Sequence, residues 1–265
     1  RFSNPMAGRM GTGLGLVGKN YTYQVMSSID VFFENEFTNE FVGAGALGMV
    51  VDDYNGDNFD HSGLGFIGGA YMACWTTNAR PIESHPVPAG TPEWGSAWKR
   101  AVKENFLKHT GISVHGASMA YRQNYLDLDP TYRDRYGRPL MRMTYDFTPN
   151  AQRLSEYITP IAAEIGRGMG GREIKVNELG VPYDIKPYQT THNTGGTIMG
   201  ASPADSVVNR YLQSWDLHNL FVMGAGVFPQ NAGYNPTATV AALTYWSARA
   251  IREQYLRDPG PLVDA

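Results

Sequence analysis

Hydrophobic side chains recur along this chain with two periods, and the switches between them predict its elements. Residues 21–33 are rich in β-branched and aromatic types, as a strand requires. Residues 41–51 predict a second short element broken by glycines, and residues 58–73 a glycine-rich loop or edge strand beside a cavity. Residues 94–109 put Trp98, Val102 and Phe106 on one helical face and Lys99, Lys103 and Lys108 elsewhere, with Gly111 as the stop. Residues 112–121 read as a strand carrying His115, and nothing in the pattern gives that histidine a role.

Alternation in residues 125–129 and 140–145, on either side of a polar stretch at 134–139, predicts an antiparallel hairpin with a wide turn. A helix over residues 150–166 aligns Leu154, Tyr157, Ile158, Ile161 and Ile165, with a kink at Pro160. Further on, residues 219–223 read as a short buried strand and 224–226 as a tight turn. Asn235-Pro236 then reads as a helix start, with Asn235 as N-cap and Pro236 at the first helical position. The apolar run to Tyr255 predicts that this helix begins inside the protein. Its first N–H groups then carry the positive pole of the dipole into the interior. Strands followed by helices, without regular βαβ repeats, predict an α+β fold with a largely antiparallel sheet flanked by helices.

Composition narrows the function classes. With 265 residues, 42% hydrophobic and 18% charged, the chain can bury a sizeable core. Thirty Gly and sixteen Pro predict many turns and long loops. A net charge of −3 leaves no basic footprint, which argues against nucleic acid as a partner. No apolar run is long enough to span a bilayer, so membrane attachment is expected only through a partner. The lone Cys74 excludes an internal disulfide and cannot by itself hold zinc or an iron-sulfur cluster. The opening at Arg1–Pro5 has no initiator Met and runs straight into loop, which predicts that the first part of a longer protein lies upstream.

Two motifs are set aside on context. Gly13-Leu14-Gly15-Leu16-Val17-Gly18 matches the dinucleotide pattern GxGxxG but lacks the strand before it and the helix after it, so a flexible glycine loop is the better reading. Asp53-Tyr54-Asn55-Gly56-Asp57 spaces its oxygens like a calcium loop, but the glycine comes too early and the distal Glu is missing.

The stretch that can do chemistry is Thr191-His192-Asn193-Thr194-Gly195-Gly196, a histidine against a glycine loop with few charges nearby. Taken alone, it reads equally well as a loop histidine without function. A neutral imidazole can take a hydroxyl proton, and an amide such as Asn235 can hold the same oxygen without competing for that proton. Were both to converge on one alcohol, its carbon would be ready to lose hydride. No amino-acid side chain accepts hydride, so a flavin or nicotinamide is required. A flavin suits the helix start at Pro236-Thr237, whose dipole favours the charge on the reduced ring.

At these residues the chain resembles a known family. His192-x-x-Gly195-Gly196-x-x-Met199-Gly200, Ser206-x-x-Asn209-x-Tyr211-Leu212-Gln213-x-Trp215-Asp216 and Gly233-Tyr234-Asn235-Pro236-Thr237 are similar to the C-terminal half of the glucose-methanol-choline flavin oxidoreductases. Leu16-Val17-Gly18-Lys19-Asn20-Tyr21, residues 53–61 and residues 125–134 extend the likeness along nearly the whole chain. Within the family the likeness is strongest to bacterial FAD-dependent sugar dehydrogenases of the glucose type, with sorbitol, fructose and gluconate enzymes as relatives.

The resemblance implies a layout: a loop of the FAD-binding domain over 1–20, a substrate-binding domain over 21–190, and over 191–265 the C-terminal strand-turn-helix portion of a Rossmann-like FAD-binding domain. It implies His192 as catalytic base and Asn235 as its partner on the substrate oxygen. Gly226, Val227, Pro236 and Thr237 would lie against FAD. It further implies oxidation of an aldose at its anomeric hydroxyl, with the rest of the catalytic subunit, a small subunit and a cytochrome c subunit as partners. An iron-sulfur cluster is expected in the complete subunit, ligated outside this chain, and the assembly is expected at the periplasmic face of the bacterial inner membrane. An oxygen-using alcohol oxidase, and a non-catalytic binding or assembly module, remain as rival readings.

Overall fold

The computed structural model of the chain describes residues 15–38, 48–75, 86–185 and 192–264. In chain order the strands are β1 (Val25–Phe32), β2 (Met49–Val51), β3 (Ala70–Trp75), β4 (His109–Gly116), β5 (Tyr125–Arg133), β6 (Pro139–Thr144) and β7 (Glu173–Asn177). The α-helices are α1 (Gly95–Asn105), α2 (Pro149–Gly168) and α3 (Thr237–Ala250). They fall into two compact units, one comprising Val25–Ala117 with Thr148–Val181, the other the chain up to Gln24 with Ser118–Phe147 and Pro182 onward.

The first of these is a five-stranded sheet in the order β2-β3-β4-β1-β7, every neighbouring pair antiparallel. Along β1, Val25, Ser27, Ile29 and Val31 are buried while Met26, Ser28 and Asp30 are half-buried, the period-two pattern of a strand with one face in a core. That core face receives α2. Its buried stripe is Ala151, Leu154, Ser155, Ile158, Thr159, Ala162, Ala163 and Gly166, spaced three and four apart. Tyr157, Ile161 and Ile165, read from the sequence as the buried face, pack half-buried along its edge.

Burying each large aliphatic of this cluster contributes about 1.5–3 kcal/mol. Small residues let the helix lie close to the sheet, and a Cβ on Gly166 would stand 2.8 Å from a Val31 methyl. Thr148 caps α2, its hydroxyl accepting from the Ala151 N–H, and Pro149 fills the first turn. Pro160 sits inside the helix but on its exposed side, so the carbonyl it leaves without a helical donor, that of Glu156, also faces solvent.

Three expectations are corrected here. Residues 70–75 form β3, an interior strand hydrogen-bonded to β2 and β4 rather than an edge. Helix α1 stops at Asn105, and Gly111 is not its stop but a residue of β4, paired with Asp30 and Trp75. Strand pairing on both sides of β4, with the His109 imidazole against the Asp30 carboxylate, outweighs the helical pattern that runs on to His109. Of the element expected over 41–51, Met49–Val51 is β2 and residues 41–47 lie outside the described ones.

In the other unit, β5 and β6 form the expected hairpin, with Tyr125 opposite Thr144 and a register shift between Leu128 and Arg133. Its wide turn is closed by the Asp134 carboxylate, which accepts from the N–H groups of Tyr136 and Arg138. Within the GxGxxG stretch Gly13 lies outside the described residues. Gly18, at φ +88°, is where glycine is obligatory: a Cβ there would fall 2.1 Å from the Leu126 carbonyl oxygen. Its N–H is engaged by the Gly196 carbonyl at 2.6 Å, and a bridge from Lys19 to Tyr125 follows instead of a helix.

Near the C-terminus, residues 219–223 make a single bridge, Gln213 to Phe221, rather than a strand, and Ala225–Val227 is a 3-10 turn entered through Gly224 at φ +112°. Helix α3 runs as predicted and continues as a π-helical turn, Ile251–Tyr255. Its cap position falls on Pro236, one residue after Asn235. The front of α3 is not interior to this chain. Thr237, Ala238, Thr239, Ala241 and Ala242 are exposed, and only Ser247 and Ala250 are buried. The chain's own packing covers one narrow side of a helix whose sequence is apolar most of the way round.

Candidate active site

His192 is held by an extended segment ahead of β1. Thr22 pairs in antiparallel register with Thr194, their backbones bonded in both directions at 2.9 and 3.1 Å. Continuing that register by two residues brings Gln24 opposite His192, and the Gln24 Oε1 lies 2.8 Å from the imidazole Nδ1. The other end of the same amide, Nε2, donates to the Gly233 carbonyl. Gln24 is fully buried, which an amide tolerates only with its hydrogen bonds made.

A second amide completes the clamp. Asn231 Nδ2 donates to the His192 carbonyl at 2.6 Å, and its Oδ1 accepts from the Gly233 N–H at 3.1 Å. Its own backbone is bridged to Ser118 at 2.8 and 3.0 Å. Gly233 adopts φ +86°, which lets the chain turn there between Asn231 and Asn235. Histidine and loop are therefore joined twice, once through the imidazole and once through the carbonyl. Partial burial pushes the His192 imidazole below its ordinary pKa, favouring the neutral base form.

Beside the loop lies an apolar cleft of ≈ 270 Å³, lined by Thr194, Asn231, Tyr234, Asn235, Pro236 and Leu243 among others. It adjoins the start of α3, where the first intrahelical bond runs from Val240 N–H to the Pro236 carbonyl. The N–H groups of Thr237, Ala238 and Thr239 accordingly have no acceptor within the helix and carry its positive end.

The expected site residues separate: His192, held by Gln24 and Asn231, is not among the residues that line this cleft. Asn235 and Pro236 line the cleft, and Thr237 follows at the helix start. Gly226 and Val227 do not line it. The Gly226 carbonyl accepts from Thr197, and a Cβ there would stand 3.0 Å from the Thr197 hydroxyl. Val227 is fully buried against Val208 and Leu212, with both its N–H and its carbonyl in backbone hydrogen bonds. That valine offers a bound group neither side chain nor hydrogen bond. Sequence reasoning missed Gln24 and Asn231. For Gln24 no signal separates it from the other polar residues of the stretch 21–33, and for Asn231 none separates it from other loop asparagines.

His115 is buried in β4 and stacked on Tyr71, ring centroids 4.6 Å apart and planes within 6°, a packing role. Behind Gln24, the rings of Tyr23, Tyr145 and Tyr183 cluster with centroids 4.9–5.8 Å apart, and burial holds the Tyr145 hydroxyl well above its ordinary pKa.

Residues 120–244 match the family model described as GMC oxidoreductase. That stretch is similar to the C-terminal domain of the GMC oxidoreductases, a family of FAD-dependent enzymes. Over 257 residues, 96% of its length, the chain is 50% identical to the gluconate 2-dehydrogenase flavoprotein of Pantoea cypripedii. It is 36% identical over 137 residues, 48% of its length, to the fructose dehydrogenase large subunit of Gluconobacter japonicus. The chain spans 42% and 22% of these two relatives. In fold it is similar to the formate oxidase of Aspergillus oryzae, at 13% identity and a TM-score of 0.56, over 91% of this chain and 48% of that one.

Proposed function

We propose that this chain is the substrate-side and C-terminal portion of a flavin-dependent dehydrogenase acting on a CH–OH group of a sugar acid. His192 is the base that takes the hydroxyl proton, and Asn235 holds the same oxygen. The observation that carries this reading is the double join of His192 to the 231–235 loop, beside an apolar cleft that ends on a helix start. Bound FAD supplies the hydride acceptor, which no side chain here can replace.

The chain's own residues divide the remaining work. Gln24 and Asn231 hold the histidine, and Pro236 and Thr237, at the positive end of α3, would hold the charge of the reduced ring. The uncovered apolar side of α3 suits packing against the portion of the relatives that has no counterpart here.

The aldose expected from the sequence gives way to a sugar acid because the 50% identity over 257 residues is to a protein named for gluconate. Gluconate, oxidised at C2, is the first substrate to test and glucose the second. We extend the reading to electron delivery through an iron-sulfur cluster and cytochrome c on partner polypeptides at the periplasmic face. The family resemblance supports that extension, and Cys74, the chain's one cysteine, is too few to ligate a cluster.

Anaerobic mixing of the complete flavoprotein with gluconate, glucose, sorbitol and fructose tests the proposal. Flavin absorbance should bleach fastest with gluconate. Bleaching by none of the four would remove the enzymatic reading, and hydrogen peroxide formed as fast as an artificial acceptor is reduced would favour an oxidase.

A further inference from the structure

The two ends of the Gln24 side chain are distinguishable by their partners. The Gly233 carbonyl can only accept, so the amide end facing it must be the NH2. The oxygen end therefore faces His192, and an amide oxygen can only accept. The imidazole nitrogen 2.8 Å away must then carry the proton. In the neutral ring this leaves the basic lone pair on Nε2.

We propose that Gln24 is a positioning residue that fixes the tautomer and ring plane of His192, with Nδ1 protonated and Nε2 as the nitrogen that accepts the substrate proton. The inference rests on the reading of His192 as the base. The geometry is over-determined in its favour. Gln24 is fully buried, so it cannot turn its amide over without leaving its oxygen against the Gly233 carbonyl. Asn231 holds the backbone of the same histidine from the other side, so the ring is fixed at both its base and its Nδ1 edge. The other end of the Gln24 amide ties ring orientation to Gly233, two residues before Asn235.

The test uses the complete flavoprotein carrying Gln24→Leu, Gln24→Glu and, separately, His192→Ala. Flavin content and thermal midpoint establish folding, and the pH dependence of the anaerobic flavin-reduction rate with gluconate is the readout. Gln24→Leu should lower the limiting rate by about 10- to 100-fold, with less than about threefold change in half-saturating gluconate, because orientation of the base is lost while the cleft is intact.

Its acid limb should also move to lower pH, since the imidazolium loses the acceptor that stabilised its Nδ1–H. Gln24→Glu keeps an acceptor towards Nδ1 but loses the donor to the Gly233 carbonyl, so its rate should exceed that of Gln24→Leu without reaching wild type, with an acid limb at or above the wild-type position. A purely structural role would cost flavin or thermal midpoint without moving the limb.

Unchanged rate and limb in Gln24→Leu, with His192→Ala inactive, overturns the proposal for Gln24 alone. Full activity in His192→Ala instead overturns the base assignment on which it rests. Should Gln24→Leu fail to fold, nitrogen-15 resonances of the labelled wild-type protein decide: a neutral His192 protonated on Nδ1 supports the proposal, and one protonated on Nε2 overturns it.

Discussion

Gln24 and His192, 168 positions apart in the chain, meet side chain to side chain at 2.8 Å, and the amide that makes this contact also reaches the carbonyl of Gly233. Through that one buried side chain the histidine is coupled to the loop that carries Asn235. The consequences for acid-base behaviour can be measured, and so can the contacts that hold the sheet unit by itself.

The first concerns pH. Burial lowers the His192 pKa from its ordinary 6.5, and the base must be neutral to take a proton. The neutral form then persists as pH falls through 6.5, and kcat/KM for gluconate should decline only below that value. A pH-rate profile whose acid limb has its midpoint above 7 would be incompatible with this environment.

The second concerns Asp30 in the sheet unit. Burial pushes its carboxyl up, but hydrogen bonds from His109 and Asn177 together outweigh it and hold the group below its ordinary 3.8. A depressed carboxylate contributes stability that is present above the unfolded pKa and lost as pH falls through the folded one. Replacing Asp30 by Asn should lower the thermal midpoint near pH 6, and the gap to wild type should narrow below about pH 4. A gap that widens on acidification contradicts the assignment.

The third separates two glycines of α2. Alanine is favoured over glycine in a helix by up to about 1 kcal/mol, while overpacking a core costs about 1–3 kcal/mol. At Gly166 a Cβ would stand 2.8 Å from Val31 Cγ2, whereas at Gly168 it would meet nothing within 4 Å. Gly166→Ala should therefore destabilise and Gly168→Ala should be neutral or mildly stabilising, in thermal or urea unfolding. Equal effects would contradict the close approach of the helix to β1 at Gly166.

What the sequence revealed of this fold follows physical range. Strand β1, the β5-β6 hairpin and α2 were legible because each buries a periodic stripe, and the stripe is written locally. The stop of α1 was not. His109 and Gly111 look like a helix end and a breaker, but pairing of β4 on two sides claims them, and that pairing is invisible from either segment alone. The buried strand expected at 219–223 is a single bridge instead, with Val222 packed against Leu212 and Val227 while Asn219, Leu220 and Met223 are exposed.

For the site, His192 and Asn235 could be named from their motifs, whereas the residue that joins His192 to Gly233 could not. Gln24 reads as one more strand residue until the chain is folded and its two hydrogen bonds appear. The N-cap assigned to Asn235 failed because the cap position falls one residue later, on Pro236. That leaves the Asn235 side chain on the wall of the cleft.

The claim on which all of this turns is that the His192 imidazole removes the substrate proton. It is tested most directly by the anaerobic rate of flavin reduction by gluconate in the complete flavoprotein carrying His192→Ala. A fall of about 10²- to 10⁴-fold with flavin still bound is predicted, the range general-base catalysis supplies. A rate within about threefold of wild type would contradict it.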